Sequence, residues 1–291
     1  MGFIKELWSD AIYQTLYEDV DLQTMFDRSY ETLARQGGNK IHLPTLASGV
    51  ALSRSDNQSV GSGLPRTPAD ISKSSLELSI YEYSTDPIVI RNLDVIQGDR
   101  ALFNKNVAEV SAIIKEYIMT AVLTEIMGNV NSTHRLKWVG GAGGSKFSHA
   151  DLRKMRTLLT NAKHPMADRF IALDPEAEDN LLEDDYLKNW LAVNQSNIQN
   201  GQMPMLAGFK FAPSTLVPKT KDDGTISATP AENTKLNAVA WKKNWVALVI
   251  QTEIEITGSE QAQYLGGVYA FTTRFGTKLV RDKAAVQKYQ G

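Results

Sequence analysis

Four glycines in five positions, Gly140, Gly141, Gly143 and Gly144, stand just ahead of Lys146 and a segment with helical periodicity. Loops of this kind can cradle phosphate, because successive backbone N–H groups and a helix N-terminus point at the anion. The spacing departs from both common cradles. A P-loop ends in Gly-Lys followed by Ser or Thr, whereas Lys146 follows Ser145 and precedes Phe147. A dinucleotide fingerprint fails too, because Gly141-Ala142-Gly143 runs straight into Gly144, Ser145 and Lys146. The lead-in "STHRLKW" is mostly polar and not the β-branched strand such sites follow. These residues predict a flexible connection ending in a Ser148 helix cap, with the four glycines as hinge candidates.

The other chemistry-bearing residues are dispersed. His42, His134, His149 and His164 are too far apart to form a local metal motif. Glu176, Glu178, Asp179, Glu183, Asp184 and Asp185 form an acidic run. The first three complement the positive end of a helix without any cation; a divalent-ion or general-acid role is the alternative. "NST" at 131–133 spells a glycosylation acceptor, a coincidence without a secretion signal. There is no Ser-His-Asp order and no G-x-S-x-G, so the expectation is no catalytic residue, no cofactor, no metal and no enzyme activity.

Composition narrows the class. The chain has 291 residues, 42% hydrophobic and 22% charged, in the range of a folded protein. Its formal charge of −2 gives no overall electrostatic reason for direct nucleic-acid binding. Residues 1–36 carry three basic and seven acidic side chains, and 131–250 fifteen and twelve. With no cysteine, disulfides, zinc ribbons and thiol catalysis are excluded, and the chain fits a reducing cytoplasm. "MGFIKELWSD" lacks the basic start and apolar run of a signal peptide, and no stretch approaches the ~20 apolar residues of a membrane helix. A soluble protein with no membrane partner is expected.

The elements that would position these residues follow from periodicity. Ile4, Leu7, Trp8, Ile12 and Leu16 share a helical face over 3–19, a stripe that needs a partner surface. Ile41, Leu43 and Ala47 alternate in an edge strand demoted by Pro44, and Leu76, Leu78 and Ile80 alternate over 74–83. Between them, 53–70 is rich in Ser, Gly and Pro and cannot bury enough surface to fold alone. The whole predicts a long two-stranded excursion that must rest on something else, in an assembly a neighbouring subunit. Over 98–130, Leu102, Val110, Ile113, Ile114, Tyr117, Ile118, Ala121, Val122 and Ile126 predict a helix of ~45 Å, with Asp99 at its start and Gly128-Asn129 at its end. A mixed α/β region follows: a helix over 148–162, a buried strand over 169–174 and a helix over 174–193 capped by Asp174. It continues with a strand over 205–218, a loop over 219–233 with an Asp-Gly turn, and a strand running into a helix over 235–251. The end predicts an aromatic strand, a turn at Gly276, and a last strand from Lys278 to Val286 returning beside it.

This order of elements resembles the major capsid protein of tailed bacteriophages, the Hong Kong 97-like fold. "LWSDAIYQTLYEDVDLQTMFDRSYE" with "GGNKIHLPTL" resembles the arm running into the extended loop, and "SSLELSIYEYSTDPIVIRNLDVIQGD" the return to the spine helix. "MPMLAGFKFAPSTLVP" is similar to an axial-domain strand. "WKKNWVALVIQTEIEI" with "RFGTKLVRDKAAV" is similar to the terminal helix and peripheral strands. The resemblance implies an α+β fold with an N-terminal arm (1–37), an extended β-hairpin loop and return strands (38–97), a peripheral domain (98–130 plus 251–291) holding the long spine helix, and an α/β axial domain (131–250). It further implies a virion structural protein forming hexamers and pentamers of an icosahedral head around double-stranded DNA held by weak contact, assembled in the bacterial host cytoplasm. Implied partners are a separate scaffolding protein, a portal and decoration proteins. Arg54, Asp56, Arg66 and Lys73 become candidate intersubunit contacts, and the glycine loop a joint between peripheral and axial domains. No lysine–asparagine crosslink is expected, since Lys73 is the central-loop lysine and no Asn lies beyond Asn244. An encapsulin shell and a nucleotide-binding enzyme using 140–146 are the alternatives.

Overall fold

The computed structural model describes residues 22–46, 73–91, 100–187, 205–213, 215–261, 263 and 266–291. The expected helix over 3–19, Asp99, and the excursion tip with Arg54, Asp56 and Arg66 lie outside them. Two short helical turns, α1 (Leu22–Met25) and α2 (Glu31–Ala34), lead into an antiparallel hairpin of β1 (Lys40–Leu46) and β2 (Lys73–Ser79). Pro44 lies opposite Ser75, and among the described residues β1 pairs with β2 alone, so the missing N–H of proline costs no second ladder. Ile41, Leu43, Leu78 and Ile80 bury their shared face against Ala34, Ala247 and Val249 of the same chain. The described base of the excursion therefore rests on its own subunit, where the sequence pattern pointed to a neighbour.

The longest periodic run forms the longest helix, α3 (Arg100–Asn129), of 30 residues. Its buried stripe of Ile114, Ile118, Val122 and Ile126 packs on a sheet made from β3 (Tyr81–Ser84), β4 (Ile88–Arg91), β9 (Val246–Gln261) and β10 (Gly266–Leu279). β10 is the spine of that sheet: β9 runs antiparallel along one edge, while β3 and β4 share the other. Two expectations fail here. "VALVI" is not the start of a helix but the start of β9, and Val246, Ala247, Leu248, Val249 and Ile250 are all buried. An apolar run buried on both faces carries no period that separates strand from helix. Gly276 is not a turn either, because β10 runs straight through it. A Cβ there would fall inside contact distance of Ser79 O and 2.8 Å from Leu78 Cδ2, so the glycine lets the hairpin base lie close on β10.

A second sheet has the order β5-β11-β8-β6-β7, from β5 (Arg135–Lys137), β6 (Arg169–Leu173), β7 (Lys210–Pro213), β8 (Asn237–Lys242) and β11 (Ala285–Tyr289). Every residue of β6, β8 and β11 is buried, and the residues alternate between two cores. Phe170, Ala172, Val239, Trp241 and Ala285 face the core shared with α3. Ile171, Leu173, Ala238, Ala240 and Val286 face α4 (His149–Asn161) and α5 (Pro175–Leu182). The last strand thus leaves β10 at Leu279 and joins this sheet between β5 and β8, instead of returning beside its predecessor over 278–286. The 205–218 strand shrinks to β7 because Ala207 and Gly208 take positive φ just before it. The helix expected over 174–193 ends at Leu182, where Asp184 Oδ1 accepts from Tyr186 N and starts a separate turn.

Gly276→Ala should cost about 1–3 kcal/mol in urea unfolding, since the close approach at Ser79 must open. Unchanged stability would show that the hairpin base is not held at that point.

Candidate functional site

The glycine loop is the place where the sequence concentrated its chemistry, and it is tightly built. Trp138 N donates to Tyr289 O at 2.8 Å, Lys146 N to Gly140 O at 2.9 Å, and Gly291 N to Gly144 O at 2.9 Å. Beneath it, Lys288 Nζ lies 2.7 Å from Asp151 Oδ1, with side chains 1% and 0% exposed. Asp151 also accepts from Val139 N at 2.9 Å and Ser148 N at 3.0 Å, and Lys288 donates a second bond to Lys137 O at 3.1 Å. A buried ion pair is tolerated only when its remaining donors and acceptors are satisfied in this way. The pair joins β5, the loop, α4 and β11.

That geometry decides the phosphate question. The α4 N-terminus is filled by carboxylates: Asp151 closes a capping box with Ser148, and Asp184 Oδ2 accepts from His149 N at 2.9 Å. Lys146 Nζ, the one cation of the loop, pairs with Glu183 at 2.7 Å, which raises the lysine pKa through that hydrogen bond and charge. The Lys146 ammonium and the His149 N–H at the α4 start, two donors a phosphate would use, are already engaged by carboxylates. The loop also lies inside the second sheet's unit, between β5 and α4, and not at the passage from α3 to that sheet, which falls at Val130–His134. Gly141, Gly143 and Gly144 all have positive φ; a Cβ on Gly144 would meet Trp138 O at 2.5 Å, whereas one on Gly143 would meet nothing within 4 Å.

The histidines sit apart. His134 Nδ1 lies 3.0 Å from Ala285 O, His149 stacks on Tyr186 at 4.2 Å, and His164 meets the edge of Trp245 at 6.1 Å. Among the described residues, no group of three or more His, Cys, Asp or Glu could hold a metal ion. In the acidic run, Asp174 caps α5 by accepting from Glu176 N at 3.1 Å, and burial raises the pKa of Glu178. Lys73 opens β2 opposite Leu46. Sequence reasoning missed the Asp151–Lys288 pair, though a signal existed: a lysine inside "AAVQKY", a strand buried on both faces, must find a counter-charge. It also missed the exposed apolar set of Tyr81 on β3, Val89 on β4, and Ile113 and Tyr117 one turn apart on α3.

Two predictions follow from these side chains. Asp151→Ala should cost about 3–5 kcal/mol by leaving a buried ammonium unpaired, and adding Lys288→Met should recover much of it; a double variant as weak as the single would refute pairing as the cause. His164 has its pKa lowered by burial and then by Arg281 and other cations. Its contribution to stability is complete above the ordinary histidine pKa of about 6.5 and is lost as pH falls below it, because the unfolded chain binds the proton first. Tm measured from pH 7.5 to 5.5 should fall less in His164→Gln than in the unmodified protein, and parallel curves would contradict this.

A family model described as phage capsid protein matches residues 108–278, from within α3 to near the end of β10. A solved chain of Mycobacterium phage Che8 is 19% identical, with 99% of this chain and 97% of that one covered and a TM-score of 0.67. The capsid of cyanophage P-SCSP1u gives 17% identity, 99% and 94% coverage, and a TM-score of 0.65. The SrpI encapsulin of Synechococcus elongatus PCC 7942 gives 10%, 86% and 81%, and 0.57. No curated protein matches the chain.

Proposed function

The chain belongs to the phage capsid protein family, whose model spans residues 108–278, and from that premise we propose that its copies close as hexamers and pentamers into an icosahedral head around double-stranded DNA. Its α+β fold is the Hong Kong 97-like capsid fold, and it is the major capsid protein of a tailed phage, self-associating in the virion head. The observation that carries the finer reading is the hairpin. Among the described residues, Ile41, Leu43, Leu78 and Ile80 clamp it on the subunit against Ala247 and Val249, and the ladder continues from Lys40↔Ser79 to Leu46↔Lys73. A two-stranded ribbon is marginal alone and gains support from a neighbour, so residues beyond Leu46 and before Lys73, with Arg54, Asp56, Arg66 and Lys73, form the intersubunit loop.

Tyr81, Val89, Ile113 and Tyr117 are apolar surface that a neighbouring copy covers. The subunit acts as a structural protein and not as an enzyme, a reading supported by the capsid family match and by the carboxylates that engage Lys146 and the α4 N-terminus. The arm (1–37) and the loop (38–97) precede two domains. These are a peripheral domain (98–130 plus 251–291) and an axial domain (131–250), and the pairing of β11 with β5 and β8 supports counting that last strand with the axial domain. A separate scaffolding protein, a portal and decoration proteins are its partners, and assembly takes place in the host cytoplasm. The encapsulin alternative shares the fold, with lower coverage.

Deleting residues 55–68 should leave a cooperatively melting subunit that no longer forms closed shells in electron micrographs. Shells of normal number and size from the deletion would remove the loop from the interface. Gly143→Ala, which adds φ strain and no clash, tests the hinge role: it should slow or block shell expansion while lowering subunit Tm by only a few degrees, and normal expansion would retire the hinge.

A further inference from the structure

The chain as a whole carries a formal charge of −2, yet one surface gathers several cations. The turn over 162–168, between α4 and β6, is held from below by two buried cations. Arg169 Nε donates to Pro165 O at 3.0 Å and its Nη2 to His164 O at 2.5 Å, while Lys242 Nζ donates to Ala167 O at 2.5 Å. More cations ring the turn. From α4, Arg156 Nη2 reaches to 3.8 Å from Met166 Sδ. Lys163 stands exposed on the turn itself. Arg281 lies over the Trp245 ring, 4.0 Å from its centroid, and His164 meets the same ring. Two carboxylates sit among these groups. Asp168 is shared between Lys242 at 3.7 Å and Lys210 at 3.8 Å, and Asp282 accepts from Asn131 Nδ2 at 2.5 Å.

We infer that this surface faces the inside of the shell and binds the phosphate backbone of packaged duplex DNA, through Arg156, Lys163 and Arg281 supported by Arg169 and Lys242. The inference rests on the capsid reading above. Charge complementarity selects the occupant, because cations outnumber carboxylates here on a chain that is acidic overall. A protein partner would want an apolar centre surrounded by polar groups. The exposed Met166 has a guanidinium on its sulfur, and the Trp245 ring is covered by Arg281. Backbone phosphates ask only for positioned cations and are read without regard to sequence. A few such contacts per subunit are weak singly and add up over many copies.

The test uses the purified full chain and a fluorescent duplex of random sequence, with binding followed by anisotropy across a salt series. The variant Arg156→Glu/Lys163→Glu/Arg281→Glu alters exposed side chains only; a control triple, Lys115→Glu/Lys137→Glu/Lys221→Glu, makes the same charge change elsewhere. The patch variant should bind about tenfold or more weakly, with the slope of log K against log salt reduced by about one per cation removed, and the control should stay within about twofold. Should the Glu triple fail to melt cooperatively, the neutral Arg156→Gln/Lys163→Gln/Arg281→Gln must show the same loss in smaller degree. Equal losses in patch and control overturn the inference. So does a patch variant that loses binding to polyglutamate but keeps it for the duplex, since the surface would then belong to an acidic protein segment. Negative-stain images of the unmodified protein separate the two readings: shells without patch-dependent DNA binding sink this inference alone, whereas an absence of shells strikes at the capsid reading.

Discussion

Trp241 is the side chain on which the unity of the subunit depends. It is fully buried in β8, stacks on Phe26 of the N-terminal segment at 5.5 Å and on Phe170 of β6 at 6.2 Å, and its Nε1 donates to Met25 O at 3.0 Å. The core around it also holds Ile118, Val122 and Ile126 of the spine helix and Phe271 and Phe275 of β10. Two sheets that share no strand pairing among the described residues are therefore welded by one continuous apolar core. Only residues 243–245 separate β8 in one sheet from β9 in the other, so covalent continuity and packing agree. The N-terminal segment is clamped at the same place, with Asp27 N donating to Val246 O at 3.0 Å and Leu248 N to Asp27 O at 2.9 Å.

A body built in this way can carry projecting parts without losing its shape. The hairpin leaves it from a base fixed at Gly276 and Leu78, and the glycine loop is anchored at Trp138, Gly144 and Lys146 above the Asp151–Lys288 pair. Stability is concentrated where strands are buried on both faces. On the proposed reading, assembly chemistry belongs to the ribbon, the exposed Tyr81 and Tyr117, and the cationic turn. A shell protein needs this separation, because its subunit must survive unpaired before it meets its neighbours.

Much of the frame was legible in the sequence because it obeys single-period rules. The spine helix declared itself through a long 3.6-residue pattern, α4 through its Ser148–Asp151 box, α5 through Asp174-Pro175, and the edge strand through Pro44. What escaped was set by tertiary burial. "VALVI" has no polar face from which to read a period, and β11 owes its place to a parallel partner some 150 residues away. Gly276 looked like a turn because the backbone approach that requires it comes from another strand. The cationic turn escaped for the same reason, since its members are scattered from Arg156 to Arg281 in the sequence and meet only in the fold.

The most direct measurement is a side-chain-resolution electron cryomicroscopy reconstruction of particles formed by the full chain. The account predicts closed icosahedral shells whose subunits keep Trp241 against Phe26 and whose β1–β2 ribbon crosses onto the adjacent copy. Particles with the ribbon folded back on its own subunit, or a preparation that yields only monodisperse monomers, would contradict it.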